Sequence, residues 1–309
     1  METLLSAHNE NVNKCVHWLR ETLGGNPPKV AIITGSSGPH ALLDYFDKGA
    51  KRDYLPTPFR TPVVSGHLGE YCHGKMNGVS VILILGRVHY NERTNDPYYA
   101  VTNVRALALW GVKTFIITNA SGSLTHDRPV GSINIVDDHI SSYAGASPLV
   151  GDPDIVARFG SRFIDCSDVY DYELVRLATS VGDHTLTKKQ IHGGAVFLMT
   201  PGPNFETPAE IKKYARDGAH LVGMSTVPEA LALHQMGRKV LALSLVTNMC
   251  RYFRRKPNET SLEHEMNLAI AQGMDEPFAK YIAEIVKAIG AKTQSAKARI
   301  EYIDGEGEG

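Results

Sequence analysis

The sequence predicts a single α/β domain, and three observations support this fold class. Short apolar segments that suit buried strands alternate along the chain with segments of helical apolar spacing. No linker divides the 309 residues, and no internal repeat is present. The hydrophobic fraction of 43% and the charged fraction of 21% are ordinary for a chain long enough to bury its own core. We therefore expect residues 1–290 to form the domain and residues 291–309 to form a polar, disordered tail.

The first half of the chain begins with a helix and continues with alternating elements. Apolar residues at helical spacing run from Leu4 to Leu23, where Gly24-Gly25 ends the predicted helix. Asn77-Gly78 lies between two strand-like segments, residues 70–76 and 79–85, and predicts a tight hairpin. Further buried strands are predicted at 30–33, 114–118 and 132–136, and helices at 41–46 and 100–110.

The second half opens with residues 142–167, which are rich in Gly, Pro, Ser and Asp and too long for a simple turn. A segment of this kind predicts a functional excursion from the domain. Alternation then resumes, with helices predicted at 171–179, 208–216 and 228–236 and strands at 194–200, 220–222 and 240–247. A long apolar helical face begins near Leu262, and Gly273 and Pro277 are expected to break or kink it.

Charge and cysteine usage argue against several classes of protein. Lys and Arg total 32 against 33 Asp and Glu, so the net charge of −1 disfavours a nucleic-acid-binding surface. The four cysteines form no C-x-x-C pair of the kind found in zinc ribbons and thioredoxin-like motifs. The N-terminus lacks the features of a signal peptide, and no apolar run approaches the roughly 20 residues that span a bilayer. We expect a cytoplasmic protein without a membrane partner.

Five loops rich in small polar residues follow predicted strands, which is where open α/β folds bind ligands. These loops are residues 35–38, 86–89, 119–123, 201–207 and 223–229. Arg87 directly after a buried strand can grip phosphate, but a structural ion pair is an equal alternative. Phe205 beside Glu206 can stack on a base and accept a hydrogen bond from its edge. Each loop taken alone also fits an ordinary turn or helix cap.

Taken together and in this order, the loops resemble the low-molecular-mass, trimeric purine nucleoside phosphorylase family over residues 29–286. The motifs that carry the resemblance are Gly66-His67, Gly86-Arg87-x-His89, Asn119-Ala120, Gly202-Pro203-x-Phe205-Glu206-Thr207, Gly223-Met224-Ser225-Thr226-Val227-Pro228-Glu229 and Thr247-Asn248. The resemblance implies a distorted mixed β-sheet flanked by helices. It also implies a purine salvage enzyme, a pentosyltransferase that uses inorganic phosphate as co-substrate and needs no metal or organic cofactor.

The resemblance assigns roles to particular residues. Phosphate would contact Ser36, Arg87, His89, the backbone N–H of Ala120 and Ser225. The base would bind to Phe205, Glu206 and Asn248, and the ribose to Met224, His264 and Phe163. His89, Glu206 and Asn248 would be catalytic. Phe163 would come from a neighbouring protomer, so the resemblance implies a homotrimer with shared active sites.

The expected reaction is reversible phosphorolysis of a purine (deoxy)ribonucleoside to the free base and (deoxy)ribose 1-phosphate. Cleavage leaves positive charge on the sugar and negative charge on the purine, and donors aimed at the base stabilise the second charge. Asn248 can hydrogen-bond N7 and O6 of a 6-oxopurine, and Glu206 can accept from N1–H. Adenine N1 is itself an acceptor, so we expect inosine and guanosine to be preferred over adenosine.

Two departures from the family pattern bear on these roles. Ser37 replaces the second glycine of the first loop, and Asn91 stands where a sugar-contacting tyrosine is usual. Either change could weaken phosphate or ribose binding, which leaves a non-catalytic nucleoside-binding protein as one alternative. The loop at 251–256 is also unusually basic, and a solvated surface loop is its favoured interpretation.

Other enzymes are weaker alternatives. A methylthioadenosine phosphorylase of the same superfamily usually has an aspartate at the position of Asn248 and no histidine at that of His264. A nicotinamide dehydrogenase is disfavoured because G-x-G-x-x-G is missing. A metal hydrolase using His67, His73 and His89 is disfavoured by their spacing.

Overall fold

The computed structural model describes residues 2–35, 40–63, 67–93, 96–141, 147–187, 190–256, 259 and 264–305, with the backbone alone at 2–3, 154–155, 264–266 and 293–305. The strands of this part are β1 Val30–Thr34, β2 Lys51–Tyr54, β3 Glu70–Met76, β4 Val79–Leu85, β5 Thr114–Ser123, β6 Ile133–Ser141, β7 Ile191–Met199, β8 Leu221–Gly223 and β9 Lys239–Met249. The helices are α1 Glu2–Leu23, α2 Thr102–Trp110, α3 Pro153–Val156, α4 Tyr172–Thr185, α5 Pro208–Arg216, α6 Val227–Gln235, α7 His264–Gly273 and α8 Asp275–Gly305.

The strands form one mixed sheet in the order β2-β3-β4-β1-β5-β8-β7-β6-β9. Strand β1 pairs in parallel with β4 and β5, whereas β3 is antiparallel to both β2 and β4. Strand β9 also pairs in parallel with β5, so β5, β8, β7, β6 and β9 close into a ring. The fold is therefore a single α/β domain with a distorted mixed sheet, as the sequence predicted.

Helices cover both faces of the sheet, and this explains why the central strands are apolar throughout. All five residues of β1 are buried, which is typical of a parallel strand covered on both sides. Leu19 of α1, Leu107 of α2 and Leu233 of α6 belong to one buried cluster. Phe278 and Ile282 of α8 belong to a second cluster.

The hairpin between β3 and β4 has the residue bounds that the sequence predicted. Asn77 and Gly78 have φ values of 50° and 76°, and positive φ at both positions is what a tight I′ hairpin requires. Cys72 pairs with Leu83 in the middle of the ladder. The turn thus sets the register of β4, whose residues are buried on both faces of the sheet.

Arg105 of α2 is a fully buried cation whose hydrogen-bond partners are neutral groups. It donates to His8 Nε2 at 3.0 Å, to the Pro148 carbonyl at 2.8 Å and to Gln235 Oε1 at 3.2 Å. Because a guanidinium cannot accept, Nε2 of His8 is the acceptor and Nδ1 carries the proton toward Thr102 Oγ1, 3.3 Å away. Burial, assisted by Arg105, lowers the pKa of His8 to about 2, so this ring is neutral.

Two predicted segments differ in the structure, and a predicted helix break is confirmed. Residues 40–45 form a 3₁₀ helix rather than an α-helix. The chain breaks between α7 and α8 at Gly273, as predicted, and Pro277 lies within the first turn of α8, where a missing N–H is tolerated. The backbone then continues as helix through residues 291–305, where we expected a disordered tail; this stretch has Lys, Ala and Arg and no Pro. The division into a domain and a tail at residue 290 stays a prediction.

Within the described ranges, no helix is both long enough and apolar enough to cross a bilayer. Part of the predicted excursion at 142–167 is described: α3 is followed by a 3₁₀ turn, Ala157–Phe159, and an extended loop. Residues 142–146 lie outside the described residues.

Candidate active site

A cavity of about 320 Å³ lies against β5, β8 and β9 and the loops that follow β7 and β8. Its lining is mostly small or amide side chains: Gly35, His89, Asn91, Asn119, Ala120, Ser121, Gly122, Pro203, Phe205, Glu206, Val222, Gly223, Met224, Ser225, Thr247, Asn248 and Asn267. All five loops singled out in the sequence contribute to this wall, and the loop at 35–38 does so through Gly35. The topology thus brings together residues as far apart in the chain as Gly35 and Asn267.

Most of the predicted site residues meet at this cavity. Those that line it are His89, Ala120, Phe205, Glu206, Met224, Ser225 and Asn248. Arg87 is buried directly behind Ser225. Phe163 does not line the cavity of its own chain and is 87% exposed. Ser36 and Ser37 lie outside the described residues, and His264 is described only as the first backbone position of α7.

Arg87 follows β4 and is held by several groups at once. Its Nη1 donates to Ser225 Oγ at 3.2 Å and to Thr226 Oγ1 at 3.1 Å, and its Nη2 donates to the Ile33 carbonyl at 3.2 Å. Glu229 Oε2 lies 3.5 Å from the same Nη1, so the structural ion pair that the sequence left open is present. Burial lowers the pKa of Arg87 and raises that of Glu229, which means that desolvation opposes both charges.

The turn between β8 and α6 is strained at Thr226. Thr226 has φ 77° and ψ −53°, a region that a β-branched residue rarely adopts, and the Val227 N–H donates to the Ser225 carbonyl at 2.9 Å. Such a backbone costs about 1–3 kcal/mol and persists only where the surroundings hold it. The turn places Ser225 on the cavity wall and the N-terminus of α6 directly behind it.

Thr226 also belongs to a buried polar network that extends along β5. Asn119 Nδ2 donates to Thr226 Oγ1 at 2.8 Å, and Ser244 Oγ donates to Asn119 Oδ1 at 2.6 Å. Ser244 Oγ lies 2.8 Å from Ser121 Oγ. Because a hydroxyl carries one proton, Ser121 is the donor in that last contact.

His89 lies on the cavity wall and is oriented by Glu92. One oxygen of Glu92, Oε1, accepts from the His89 backbone N–H at 2.7 Å and lies 3.3 Å from the ring Nδ1. The hydrogen bonds from His89 and from the Val63 N–H lower the pKa of Glu92, and burial acts in the opposite sense. The Glu92 carboxylate is thus ionised and favours a proton on Nδ1 of His89.

Glu206 lines the cavity, and one of its two carboxylate oxygens is held by a neighbouring hydroxyl. Thr200 Oγ1 donates to Glu206 Oε1 at 2.9 Å. Burial raises the pKa of Glu206, while a hydrogen bond from its own backbone N–H and the Thr200 hydroxyl act in the opposite sense. Phe205 beside it also lines the cavity and is 36% exposed.

Asn248 reaches the cavity because β5 carries Gly122 opposite it. A Cβ at Gly122 would lie 3.0 Å from Asn248 Nδ2 and 2.7 Å from Cys250 Sγ, so any side chain there would displace both. The register between β5 and β9 shifts between Ser121 and Gly122, which pairs Gly122 with Asn248. Glycine at this position therefore allows the amide of Asn248 to face the cavity.

Strand β5 sets the distance between the two ends of the site. At one end of the site, Asn119 of β5 hydrogen-bonds Thr226, which also contacts Arg87. At the other end, Gly122 of β5, three residues after Asn119, lies against Asn248. At about 3.3 Å per residue, the two ends lie about 10 Å apart. A sugar ring fits between groups at that separation.

In the described part of the chain, no cluster of three or more His, Cys, Asp or Glu side chains is placed to hold a metal ion. The family model described as the phosphorylase superfamily matches residues 29–287. Purine nucleoside phosphorylase 1 of Bacillus subtilis is 31% identical over 278 residues, which cover 90% of this chain and 98% of that protein. The chain belongs to the purine nucleoside phosphorylase family. Members of this family are pentosyltransferase enzymes.

Other members of the purine nucleoside phosphorylase family agree with this assignment. The Bos taurus purine nucleoside phosphorylase is 37% identical over 225 residues, covering 72% of this chain and 76% of that one. Two solved structures of Schistosoma mansoni purine nucleoside phosphorylase, in complex with inosine and with adenosine, each match with a TM-score of 0.80. They are 31% and 30% identical respectively, and each comparison covers 90% of this chain and 96% of the other.

The cavity of this family member also contains residues that the sequence analysis did not assign. Asn267 lines it from α7, three positions after His264 in the chain. Glu92 hydrogen-bonds His89 across one helical turn, and the three-residue spacing of His89 and Glu92 is the sequence signal that could have predicted this contact. Asn91, noted as a departure, lies beside Gly202, where a Cβ would be 2.9 Å from Asn91 Nδ2.

Proposed function

We propose that this chain catalyses reversible phosphorolysis of 6-oxopurine nucleosides, with inosine and guanosine as substrates. The products are the free base and ribose or deoxyribose 1-phosphate. One observation carries the proposal: Glu206 and Asn248 line the same cavity as Ser225, behind which Arg87 is buried. An acceptor and an amide for the base therefore share a cavity with an anion site.

The phosphate end is assigned to Arg87, His89, Ser225 and the backbone N–H of Ala120. The buried guanidinium contributes positive charge, which Glu229 at 3.5 Å offsets in part, and Ser225 Oγ accepts from it, so the Ser225 proton can be donated to an anion. Helix α6 begins at Val227, two residues after this serine, and the dipole of its N-terminus favours the same anion. Ser36 is proposed as a fifth phosphate ligand on the family resemblance alone.

The base end is assigned to Phe205, Glu206 and Asn248. Phe205 stacks on the purine, Glu206 Oε2 accepts from N1–H, and the Asn248 amide hydrogen-bonds N7 and O6. Thr200 holds the other Glu206 oxygen at 2.9 Å, which fixes the direction of the free one. Met224 lines the same cavity and is assigned to pack against the ribose. The resemblance adds His264 at the 5′-hydroxyl.

The chemical step follows from these placements. The bond between C1′ and the purine N9 breaks, and its electron pair stays on the purine, where the Asn248 amide stabilises the new charge. A phosphate oxygen then forms the new bond to C1′, which gives ribose 1-phosphate. The bound phosphate dianion also stabilises the positive charge that the sugar carries in the transition state. The purine anion takes up one proton and the hydrogen phosphate gives up one as its oxygen bonds to C1′, so the step balances with nucleoside and phosphate alone.

Preference for 6-oxopurines follows from the charge on Glu206. An ionised Oε2 pairs with N1–H of hypoxanthine or guanine but faces a lone pair on N1 of adenine. A mispaired buried charged group costs about 1–3 kcal/mol, or about 5- to 150-fold in kcat/KM. The adenosine complex of the Schistosoma mansoni relative makes adenosine the necessary comparison substrate.

The test is a paired activity assay with inosine, guanosine, adenosine and methylthioadenosine. Each substrate is incubated with and without phosphate, and release of the free base is followed. Phosphate-dependent release of hypoxanthine and guanine, with adenosine slower, supports the proposal. Turnover of methylthioadenosine alone would move the assignment to that phosphorylase. Nucleoside binding by calorimetry without turnover would favour a non-catalytic protein.

We also propose that the enzyme is a homotrimer in which Phe163 closes the ribose site of a neighbouring copy. Phe163 is 87% exposed, yet its loop is fixed. Ser161 Oγ donates to the Phe163 carbonyl at 2.8 Å, and Gln235 Nε2 donates to the Ser161 carbonyl at 3.1 Å. An exposed aromatic ring on an anchored loop suits a contact with a second copy. Sedimentation analysis of the purified protein tests the oligomeric state.

A further inference from the structure

The hydroxyl of Thr226 is the meeting point of two buried donors. Its Oγ1 accepts from Arg87 Nη1 at 3.1 Å and from Asn119 Nδ2 at 2.8 Å, and the residue is 1% exposed. A hydroxyl oxygen has two lone pairs, and both are occupied here. Thr226 is not part of the lining of the main cavity, so its hydroxyl acts on the groups that are.

The backbone at this position would suit glycine better than threonine. At φ 77° a β-branched side chain is strained, whereas glycine adopts this region freely. Glycine would, however, leave the Arg87 and Asn119 donors buried without their acceptor. The hydroxyl of the strained threonine thus supplies an acceptor that glycine would lack.

The network continues from Thr226 to Ser244 through the two ends of the Asn119 amide. Ser244 Oγ donates to Asn119 Oδ1, and Asn119 Nδ2 donates to Thr226 Oγ1. Ser244 is 0% exposed and lies outside the cavity lining. Its Oγ lies 2.8 Å from Oγ of Ser121, which lines the cavity. The orientation of Asn119, and through it of Thr226, depends on a serine on β9.

We propose that Thr226 is a positioning residue for phosphate: its hydroxyl, oriented by Asn119 and Ser244, holds the Arg87 guanidinium and the Ser225 hydroxyl in the geometry that binds the anion. The proposal rests on the function proposed above. It assigns a role to a side chain that touches neither substrate. The expected signature is a loss of phosphate affinity with the nucleoside affinity retained.

The test compares Thr226→Val, which removes the hydroxyl but keeps the branched shape, with Thr226→Ser, which keeps the hydroxyl. For Thr226→Val we expect KM for phosphate to rise at least about tenfold while KM for inosine changes less than about twofold. Calorimetric titration with inorganic phosphate alone should show the same loss. Thr226→Ser should restore phosphate affinity to within about threefold of the wild type.

Thr102→Val is the matched control. Thr102 is a buried threonine on α2 whose hydroxyl donates to the Tyr98 carbonyl at 3.2 Å, away from the cavity. This variant should lose stability without a change in KM for phosphate. An equal rise of KM for phosphate in Thr102→Val would show that the effect is general destabilisation and would overturn the proposal.

If Thr226→Val does not fold, Ser244→Ala tests the positioning role in its place. It removes the donor that orients Asn119 and should raise KM for phosphate about threefold, with KM for inosine unchanged. Unchanged phosphate affinity in Ser244→Ala, or in a folded Thr226→Val, overturns the positioning role. A wild type without phosphate-dependent turnover would instead refute the proposed function itself, so the two failures are distinguishable.

Discussion

Replacement of Glu206 by glutamine should change which purine the enzyme prefers. Thr200 Oγ1 donates to Oε1 at 2.9 Å, so in Glu206→Gln this hydroxyl retains the amide oxygen and the amide NH2 takes the place of Oε2. That NH2 then faces N1–H of inosine, donor against donor, but suits the acceptor N1 of adenosine. Loss of a hydrogen bond to a charged group costs about 1.5–3 kcal/mol, which is about 10- to 150-fold in kcat/KM for inosine.

The same substitution should not weaken the fold. Burial raises the pKa of Glu206 in the folded state, so above its ordinary pKa the ionised carboxylate opposes folding, and this cost is absent at acidic pH. A neutral glutamine removes the cost, and the melting temperature at pH 7.5 should be equal or higher. Lower activity therefore cannot be attributed to unfolding.

Steady-state kinetics with inosine and with adenosine at saturating phosphate provide the assay. Glu210→Gln is the matched control, because Glu210 accepts from Thr207 N at 2.7 Å to cap α5 and lies outside the cavity lining. It should leave both substrates unaffected. A loss below about threefold for inosine in Glu206→Gln, or equal losses for inosine and adenosine, would refute the assignment of Glu206 to N1.

Three further substitutions test other parts of the account. Asn248→Ala should lower kcat/KM for inosine at least about tenfold, mainly through kcat, since the amide acts on charge that develops at the base; near wild-type kinetics would contradict the base site. The folded-state pKa of His8 is about 2 against about 6.5 unfolded, so the unfolded chain gains a proton as pH falls below 6.5. Urea titrations at pH 7.5 and 5.5 should therefore show a loss of about 1.4 kcal/mol in the wild type that His8→Gln escapes, and equal losses would contradict a neutral buried ring. Phe163→Ala should raise KM for inosine with the fold intact, whereas Phe163→Tyr should not; unchanged KM in Phe163→Ala would contradict the shared site.

Elements with a local signal were predicted to the residue. The hairpin has the expected bounds because Asn77-Gly78 dictates its turn. Helix α5 begins and ends where expected because Thr207 and Glu210 form a capping box before an amphipathic run. Such signals depend only on neighbours in the chain.

Elements set by long-range pairing were not predicted in full. Strand β5 was expected to end at Thr118, and residues 119–123 were interpreted as a loop because they are small and polar. They are strand because β9 pairs with them, and this pairing leaves no local trace. The same limit applies to the site. The sequence motifs predicted most of the residues that line the cavity, but the hydrogen bond between Thr226 and Asn119 and the position of Asn267 in the cavity wall depend on the tertiary fold.

The central claim is that phosphate, rather than water, receives the sugar. The most direct measurement is ³¹P NMR of the purified enzyme with inosine and inorganic phosphate, with hypoxanthine quantified in the same samples. We predict a ribose 1-phosphate resonance that grows in equal molar amount to hypoxanthine while the phosphate signal falls. Release of hypoxanthine with the phosphate signal unchanged, or no release of base at all, would contradict the account.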